Sequence, residues 1–167
     1  TADNGNGSVI SLNNLLIDTL ITDGGMGVCK HANGIDWWIV KPMYESNTYI
    51  KFLIRGSGVV EGPFYQNIGL KFRDPDWKGQ TVFSVNGHQM ATTSGITQKA
   101  QLFDFDRCTG NLANPKYFWG IDNGYFDGGI GLSFSPSGRY MYATLDSFKL
   151  YQLDLRASDL NASKFVV

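Results

Sequence analysis

The sequence predicts an all-β fold, and three observations carry that prediction. Aromatic residues make up 14% of the 167 residues. The chain also contains 20 glycines, a composition that favours short strands joined by tight turns. Apolar and polar residues alternate with period two in several segments, whereas helical periodicity is scarce. A chain of this length can bury one ordinary core.

Three segments of the chain share a strand–turn–strand pattern. They read VCKHANGIDWWIV at 28–40, VFSVNGHQMATT at 82–93 and LSFSPSGRYMYAT at 132–144. The turn glycines Gly34, Gly87 and Gly138 recur at intervals of about 50 residues, which is the spacing of a structural repeat. Two of the turns are Asn-Gly pairs, the strongest short signal for a β-hairpin.

A further alternating stretch follows each hairpin and completes a unit of several strands. These stretches are TYIKFLI at 48–54, AQLFDFD at 100–106 and KLYQLDL at 149–155. A period of about 40–50 residues with several strands per unit is typical of β-propeller blades. The sequence therefore predicts about three four-stranded antiparallel blades from a larger ring of about seven. We place the repeats at 26–60, 79–118 and 129–160 of a partial propeller that covers 1–167.

Charge and composition exclude several classes of protein. The net charge of −1 leaves no basic surface for a nucleic acid. No apolar run reaches the roughly 18–20 residues that a membrane span requires. Cys29 and Cys108 are too few for a disulfide scaffold, and their different blades argue against a mutual disulfide. Two histidines and two cysteines do not predict a zinc site, and no cofactor is expected.

The stretch HANGIDWWIV at 31–40 contains residue types that are common in binding sites, but its register favours packing. Trp37 and Trp38 fall at large apolar positions of the repeat. The residues aligned with them are Met90 and Ala91 in the second unit and Met141 and Tyr142 in the third. We therefore expect both tryptophans to pack between blades, with an exposed stacking platform as the alternative.

His31 aligns with Ser84 and Ser135, small polar residues that can bond the backbone of the turn. Asp36 lies near the blade edge on the same hairpin. A turn-bonding role is the simpler interpretation, and we keep His31 and Asp36 as candidate binding residues. Lys30 puts a charge where the other two units have phenylalanine, and the sequence gives no reason for it.

Three segments together resemble a known group of proteins. They are KHANGIDWWIV at 30–40, LFDFDRCTGNLANP at 102–115 and GLSFSPSGRYMYATLDSFKLYQLDL at 131–155. They are similar to secreted β-propeller proteins of Bacteroidetes-type bacteria, which commonly carry a type IX secretion sorting domain. The third segment also resembles the wider WD-repeat-like and YVTN-type superfamily. The resemblance covers about residues 5–155 and implies an extracellular or cell-surface location, while the sorting domain and the remaining blades are missing.

Motifs of catalysis are missing from the sequence as well. It contains no GxSxG, no HExxH and no glycine-rich phosphate loop. Members of the resembled group have no assigned catalytic residues, so we predict that the protein is not an enzyme. The loop IDNGYFDGG offers Asp122, Asn123 and Asp127 as oxygen ligands for calcium, without the EF-hand spacing. It is kept as a candidate only, and no other metal site is predicted.

The leading functional hypothesis is a non-catalytic secreted or cell-surface propeller that binds a protein partner or self-associates. Blade loops are the natural contact surfaces, and aromatic residues dominate interface energies. The aromatic candidates are Trp77, Trp119, Tyr125 and Phe126. The simpler interpretation is that they pack loops onto blades. The alternative function is a carbohydrate-binding propeller, or the non-catalytic part of a glycan-active enzyme, with the same aromatics stacking on sugar rings.

Overall fold

The computed structural model describes residues 13–71, 79–93, 99–119, 131–145 and 149–167. All regular secondary structure in these ranges is β-strand, arranged as three four-stranded antiparallel sheets. The predicted all-β class with three antiparallel blades is thus confirmed. In this part of the chain, no helix is long and apolar enough to cross a membrane.

Each sheet follows the order of the chain, so every strand pairs with its sequence neighbours. The first sheet contains β1 (Gly27–Lys30), β2 (Trp37–Pro42), β3 (Thr48–Ile54) and β4 (Val60–Asn67). The second contains β5 (Thr81–Phe83), β6 (Gln89–Thr93), β7 (Lys99–Asp106) and β8 (Asn111–Trp119). The third contains β9 (Leu132–Phe134), β10 (Tyr140–Leu145), β11 (Lys149–Asp154) and β12 (Phe165–Val166).

The first and third sheets extend further along the chain than the repeat boundaries drawn at 60 and 160. The strand β4 runs to Asn67, and β12 ends at Val166. The sequence of β4 includes Gly62 and Pro63, and most of its side chains are exposed. A strand that buries little and contains such residues shows only a weak alternating pattern.

Glycine at the aligned turn position is required by the backbone of all three hairpins. Gly34, Gly87 and Gly138 have φ angles of 75°, 73° and 68°, a left-handed conformation that glycine adopts without steric cost. A Cβ at Gly34 or Gly138 would meet open space, whereas at Gly87 it would lie 2.8 Å from both Arg107 Cδ and Cys29 Sγ. The turn at Gly87 is therefore also limited by a close approach.

An apolar core fills the gap between the first and second sheets. Trp38 and Val40 of β2 pack there with Met90 of β6 and Phe103 of β7. Each of these side chains is almost completely removed from solvent, which stabilises the fold by about 1.5–3 kcal/mol per large side chain.

A second core fills the gap between the second and third sheets. It joins Leu102 and Phe118 of the second sheet to Met141 and Leu153 of the third. Phe103 enters the first core and its neighbour Leu102 enters the second, because successive side chains of a strand point to opposite faces. The second sheet is therefore the middle layer, with both of its faces covered.

The two tryptophans of β2 have opposite environments, which corrects one prediction. Trp38 is buried, as predicted, but Trp37 is 44% exposed, so within the three described sheets it does not pack between blades as predicted. Its equivalents Met90 and Met141 are fully buried because they face the preceding sheet. Trp37 points to the side of the first sheet that no described sheet covers. Lys30, its ladder partner, belongs to this open side, which accounts for a charge at that position.

A polar network crosses the first core. Lys51 is only 3% exposed, and its ammonium donates to Gln66 Oε1 at 2.9 Å and to the Gly110 carbonyl at 2.7 Å. Gln66 in turn bonds both the N–H and the carbonyl of Leu112, as a neighbouring strand would. Burial lowers the pKa of Lys51 below its ordinary value.

Gly110, which accepts this bond, lies against the indole of Trp38. Its φ angle is 70°, and a Cβ would lie 2.8–2.9 Å from three atoms of the Trp38 ring. Both the backbone conformation and the close approach therefore require glycine at this position.

The lowered pKa of Lys51 predicts a pH dependence of stability. Between the folded-state pKa and the ordinary value of 10.5, the unfolded chain binds more protons, so stability rises with pH. We expect the free energy of unfolding to rise less steeply with pH in Lys51→Met than in the wild type. Urea titrations at a series of neutral to alkaline pH values measure this slope. Burial also lowers the pKa of Lys41. This lysine should therefore preserve part of the rise in stability with pH in Lys51→Met. Lys116→Met removes an exposed ammonium and should keep the wild-type slope; equal slopes in all three proteins would contradict the assignment.

The contact at Gly110 predicts a steric cost that a matched variant can isolate. Gly138→Ala meets only the left-handed backbone, so it should cost about 1–2 kcal/mol of unfolding free energy. Gly110→Ala should cost about 1–3 kcal/mol more, because the new methyl group overpacks the site at Trp38. Chemical denaturation of both variants measures the two losses of unfolding free energy. Equal losses would show that the Trp38 ring moves aside for the methyl group without a measurable change in stability.

Candidate functional site

One end of the sheets brings together several polar side chains. In an antiparallel sheet, the turn between the first and second strands and the turn between the third and fourth lie at the same end. We call the end formed by the turns 31–36, 84–88 and 107–110 the hairpin end. It carries both histidines of the protein and Arg107.

Arg107 links the first and second sheets at the hairpin end. Its guanidinium donates to the carbonyls of Lys30 at 2.9 Å, Asn86 at 3.2 Å and His31 at 3.2 Å. Its own carbonyl accepts a bond from Trp38 Nε1 at 2.9 Å. Arg107 therefore fixes its own turn against the first hairpin turn of each of these two sheets.

His31 uses both of its ring nitrogens within the protein. Nδ1 accepts the N–H of Asn33 at 3.1 Å, and Nε2 donates to the carbonyl of Cys108 at 3.1 Å. This pattern assigns the neutral imidazole with its proton on Nε2. The bond to Asn33 agrees with the turn-bonding interpretation of the sequence, and a ligand-binding role for His31 stays a prediction.

Asp36 is buried and fully engaged by its neighbours. Oδ2 accepts bonds from Arg55 Nη1 at 2.9 Å and Asn33 Nδ2 at 2.8 Å, while Oδ1 accepts the N–H of Gly56 at 2.8 Å. These bonds, that of Arg55 above all, lower the pKa of Asp36 to about 2. Arg55 also donates two further hydrogen bonds to the Glu61 carboxylate. The group stabilises the hairpin end, and ligand binding by Asp36 stays a prediction.

Most other candidates from the sequence lie outside the described residues. These are Trp77, Tyr125 and Phe126, together with the calcium candidates Asp122, Asn123 and Asp127. Trp119 is the last residue of β8. Within the described ranges, no group of three or more His, Cys, Asp or Glu side chains is placed to hold a metal ion. Cys29 is buried and Cys108 exposed, both as free thiols.

A cleft of 710 Å³ at the hairpin end of the second sheet collects groups that the sequence analysis did not single out as a site. We call it the Asp104 cleft. Its lining residues are Asn86, His88, Gln89, Asp104, Phe105, Asp106, Asn111 and Ala113. The ladder places Gln89 opposite Asp104, and Asp106 opposite Asn111. Side chains that are distant in sequence thus line one surface.

The two carboxylates of the Asp104 cleft are held differently. Asp106 accepts the N–H of Cys108 at 2.8 Å and the hydroxyl of Thr109 at 2.9 Å. These two bonds lower its pKa below the ordinary range, and the nearby His88 contributes in the same direction. Asp104 accepts one bond, from Asn114 Nδ2 at 2.7 Å. Asp106 is therefore an anion at neutral pH beside an imidazole.

His88 differs from His31 because its ring is uncommitted. It is bonded through its backbone, whose N–H donates to Asn86 Oδ1 and whose carbonyl accepts from Phe105. Its exposed imidazole has no hydrogen-bond partner among the described residues. Such a ring can accept a proton from a bound water.

Three amide side chains line the same cleft as this imidazole. The amide NH₂ groups of Asn86, Gln89 and Asn111 line the Asp104 cleft and have no hydrogen-bond acceptor within the described part of the chain. Together they offer six N–H donors to a ligand. A cleft with one base, two carboxylates and several neutral donors suits a ligand rich in hydroxyl and carbonyl oxygens.

The sequence carried a partial signal for this cleft. His88 follows the turn glycine Gly87 directly, and Asp104 and Asp106 share one face of an alternating strand. Their meeting depends on the register between β6 and β7. Sequence alternation gives the face of each residue but not its cross-strand neighbour.

No family model matches the sequence, and no curated protein matches it. Several solved structures match the fold. The periplasmic gluconolactonase PpgL of Pseudomonas aeruginosa is 14% identical, with a TM-score of 0.54 over 84% of this chain and 38% of that one. A Bacteroides uniformis protein proposed to be a 6-phosphogluconolactonase is 15% identical, with a TM-score of 0.53 over 84% and 38%.

A third similar structure is the β-propeller domain of Swd1 from Myceliophteria thermophila, at 11% identity and a TM-score of 0.51, over 84% of this chain and 39% of that domain's chain. This chain spans about two fifths of the length of these structures. At these identities the likeness shows the fold alone, and that fold is propeller-like.

These comparisons contradict the functional interpretation of the sequence. We predicted a non-catalytic propeller that binds proteins or glycans, and not an enzyme. One of these structures is described as a gluconolactonase and another is proposed to be a 6-phosphogluconolactonase, so proteins with a similar fold include enzymes. Motif searches find chemistry that is local in sequence, whereas the Asp104 cleft is assembled across three strands. The sheets of this chain are similar in fold to parts of these structures.

Proposed function

We propose that the chain is part of a β-propeller enzyme that hydrolyses a sugar lactone in the Asp104 cleft. The observation that carries the proposal is the uncommitted imidazole of His88 beside the anionic Asp106. The described amide donors of the cleft supply the hydrogen bonds that a hydroxylated substrate requires. The gluconolactonase and the proposed 6-phosphogluconolactonase among the similar structures support this choice of reaction.

Lactone hydrolysis needs a base, an anion-stabilising group and an acid. His88 accepts a proton from water as the water oxygen adds to the lactone carbonyl carbon. The carbonyl oxygen becomes an anion, which amide N–H groups of the cleft stabilise. The bond between the carbonyl carbon and the ring oxygen then breaks, and the ring oxygen takes the proton back from His88. The products are one carboxylic acid and one new hydroxyl group.

Asp106 serves this cycle through its charge. When His88 holds the proton, the imidazolium lies near a carboxylate that stays ionised, and this attraction stabilises the intermediate. Asp106 is itself held by Cys108 and Thr109, so it keeps its position as the charge on the imidazole changes. Asp104 is placed to bind a substrate hydroxyl through its second oxygen.

The wider setting of the chain is part of the proposal. Because the chain spans about two fifths of the lactonase structures, we propose that further blades complete the enzyme. The resemblance to secreted Bacteroidetes-type propellers supports a location outside the cell and leaves a protein partner or self-association as a proposal. Detection of the natural protein by antibody in culture medium, rather than in cell lysate, would test the location.

His88→Gln tests the base directly. In the full natural chain, we expect the rate of δ-gluconolactone hydrolysis above the uncatalysed background to fall about 10²–10⁴-fold, with the melting temperature unchanged. His31→Gln is the matched control: it should lower stability, because two hydrogen bonds are lost, and largely keep kcat. Wild-type hydrolysis no faster than the background would overturn the proposed function, and full activity in His88→Gln would overturn the assigned base.

Asp106→Asn tests the charge beside the base. The amide keeps an oxygen acceptor for the Cys108 N–H but removes the anion, so we expect kcat to fall about tenfold or more with a smaller change in KM. Thr109→Ala removes one hydrogen bond of Asp106 without removing its charge, and should keep most of the activity. Equal losses in the two variants would indicate that Asp106 acts only by holding its turn.

A further inference from the structure

A charged residue occupies the position of Asp104 in each of the three sheets. The equivalent residues directly follow the cross-strand partners of Trp37, Met90 and Met141, and they are Arg55, Asp104 and Asp154. In the first sheet, Arg55 forms an ion pair with Asp36 at 2.9 Å. In the third sheet, Asp154 forms one with Arg139 at 2.8 Å. Asp104 belongs to no ion pair within the described ranges, so of the three described sheets only the second leaves this charge without a counter-ion.

The neighbours of Asp104 hold its carboxylate and leave one oxygen available. The ladder places the neutral Gln89 and the small Ala113 beside it. The register of β7 and β8 shifts at this point, and Asn114 of β8 has a φ of 49°, a left-handed conformation that asparagine tolerates. From there Asn114 Nδ2 donates to Asp104 Oδ2 at 2.7 Å. Asp104 Oδ1 has no donor among the described residues, so it can accept a bond from a ligand hydroxyl.

The Asp104 cleft contains two carboxylates and no fixed positive charge. Asp104 and Asp106 line it, and neither lysine nor arginine is among its described lining residues. Arg107 follows Asp106 in sequence, but its guanidinium donates to three backbone carbonyls, two of them in the first sheet. His88 is neutral when it acts as the base. Because the first and third sheets flank the second, a further blade would not cover this cleft.

We propose that the Asp104 cleft selects sugar lactones without a phosphate group and rejects their phosphorylated forms. This inference rests on the proposed lactonase function and adds to it the charge class of the substrate. A phosphate monoester carries about 1.5–2 negative charges at neutral pH, and two carboxylates without a cation repel it. A substrate hydroxyl in the same place is instead a hydrogen-bond donor, which a carboxylate oxygen accepts.

Steady-state hydrolysis of δ-gluconolactone and of 6-phosphogluconolactone by the full natural chain tests the selectivity. At low salt we expect kcat/KM to be about 10- to 100-fold higher for δ-gluconolactone, because like charges oppose binding of the phosphorylated lactone. Added salt should raise kcat/KM for 6-phosphogluconolactone severalfold and leave that for δ-gluconolactone nearly unchanged, since salt screens the repulsion. Equal kcat/KM values, or a preference for 6-phosphogluconolactone, would overturn the selectivity and leave the proposed reaction standing.

A binding measurement separates the selectivity from the reaction. The polyol 1,5-anhydroglucitol has the ring and the hydroxyl groups of δ-gluconolactone but no carbonyl, so it cannot be hydrolysed. In NMR titrations of the full natural chain, we expect it to bind about tenfold more tightly than its 6-phosphate. This result in a chain without lactonase activity would overturn the reaction and support the selectivity. Equal or tighter binding of the 6-phosphate, or no binding of the polyol, would overturn the selectivity.

Two variants assign the selectivity to Asp104. Asp104→Asn keeps an oxygen acceptor for Asn114 Nδ2 and removes the charge. We expect the preference for δ-gluconolactone to fall about 3- to 10-fold, mainly through a higher kcat/KM for 6-phosphogluconolactone. Glu45→Gln is the matched control, because it removes an exposed carboxylate between β2 and β3, at the end of the first sheet opposite the hairpin end. It should leave the preference unchanged. An unchanged preference in Asp104→Asn, or an equal fall in Glu45→Gln, would overturn the role of the Asp104 charge.

Discussion

The side chains of β7 point alternately into two cores, and the rest of the structure depends on that alternation. Phe103 and Leu102 bury opposite faces of the second sheet, so this sheet must have a neighbour on each side. The same alternation places Asp104 and Asp106 on the face of Leu102, beyond the end of the apolar contact. The two carboxylates that line the Asp104 cleft therefore lie on the same face of the strand as Leu102, where its apolar residues end.

Polar side chains, and not further strands, join one sheet to the next. Gln66 bonds both backbone groups of Leu112, and Gln101 does the same for Leu70. Each amide takes the place of a neighbouring peptide group at a point where the ladder cannot continue into the adjacent sheet. Arg107 performs this task at the hairpin end with three donors. The sheets are thus held in register by a few directional bonds set within apolar packing that by itself is non-directional.

The predictability of this protein from sequence follows from how local each feature is. The turn glycines and the alternation of TYIKFLI depend on neighbouring residues, so the hairpins and the burial of Trp38 could be predicted. The exposure of Trp37 depends on whether a sheet covers that face, and the Asp104 cleft depends on cross-strand register. Neither is local. The position of the fourth strand, β4, could not be predicted because most of its side chains are exposed and show no alternation of apolar and polar residues. The strand forms through backbone pairing with β3.

The three hairpin turns differ in their tolerance of evolutionary change. At Gly34 and Gly138 the space beside the backbone is empty, so asparagine, which enters the left-handed region at modest cost, is an accessible replacement. At Gly87 the stem of Arg107 and the thiol of Cys29 occupy that space. Any lineage that loses this glycine must also alter Cys29 on β1 and Arg107 in the turn 107–110. Among homologous chains, a change at Gly87 should therefore be accompanied by changes at Cys29 and Arg107. Gly34 and Gly138 should each change independently of other positions.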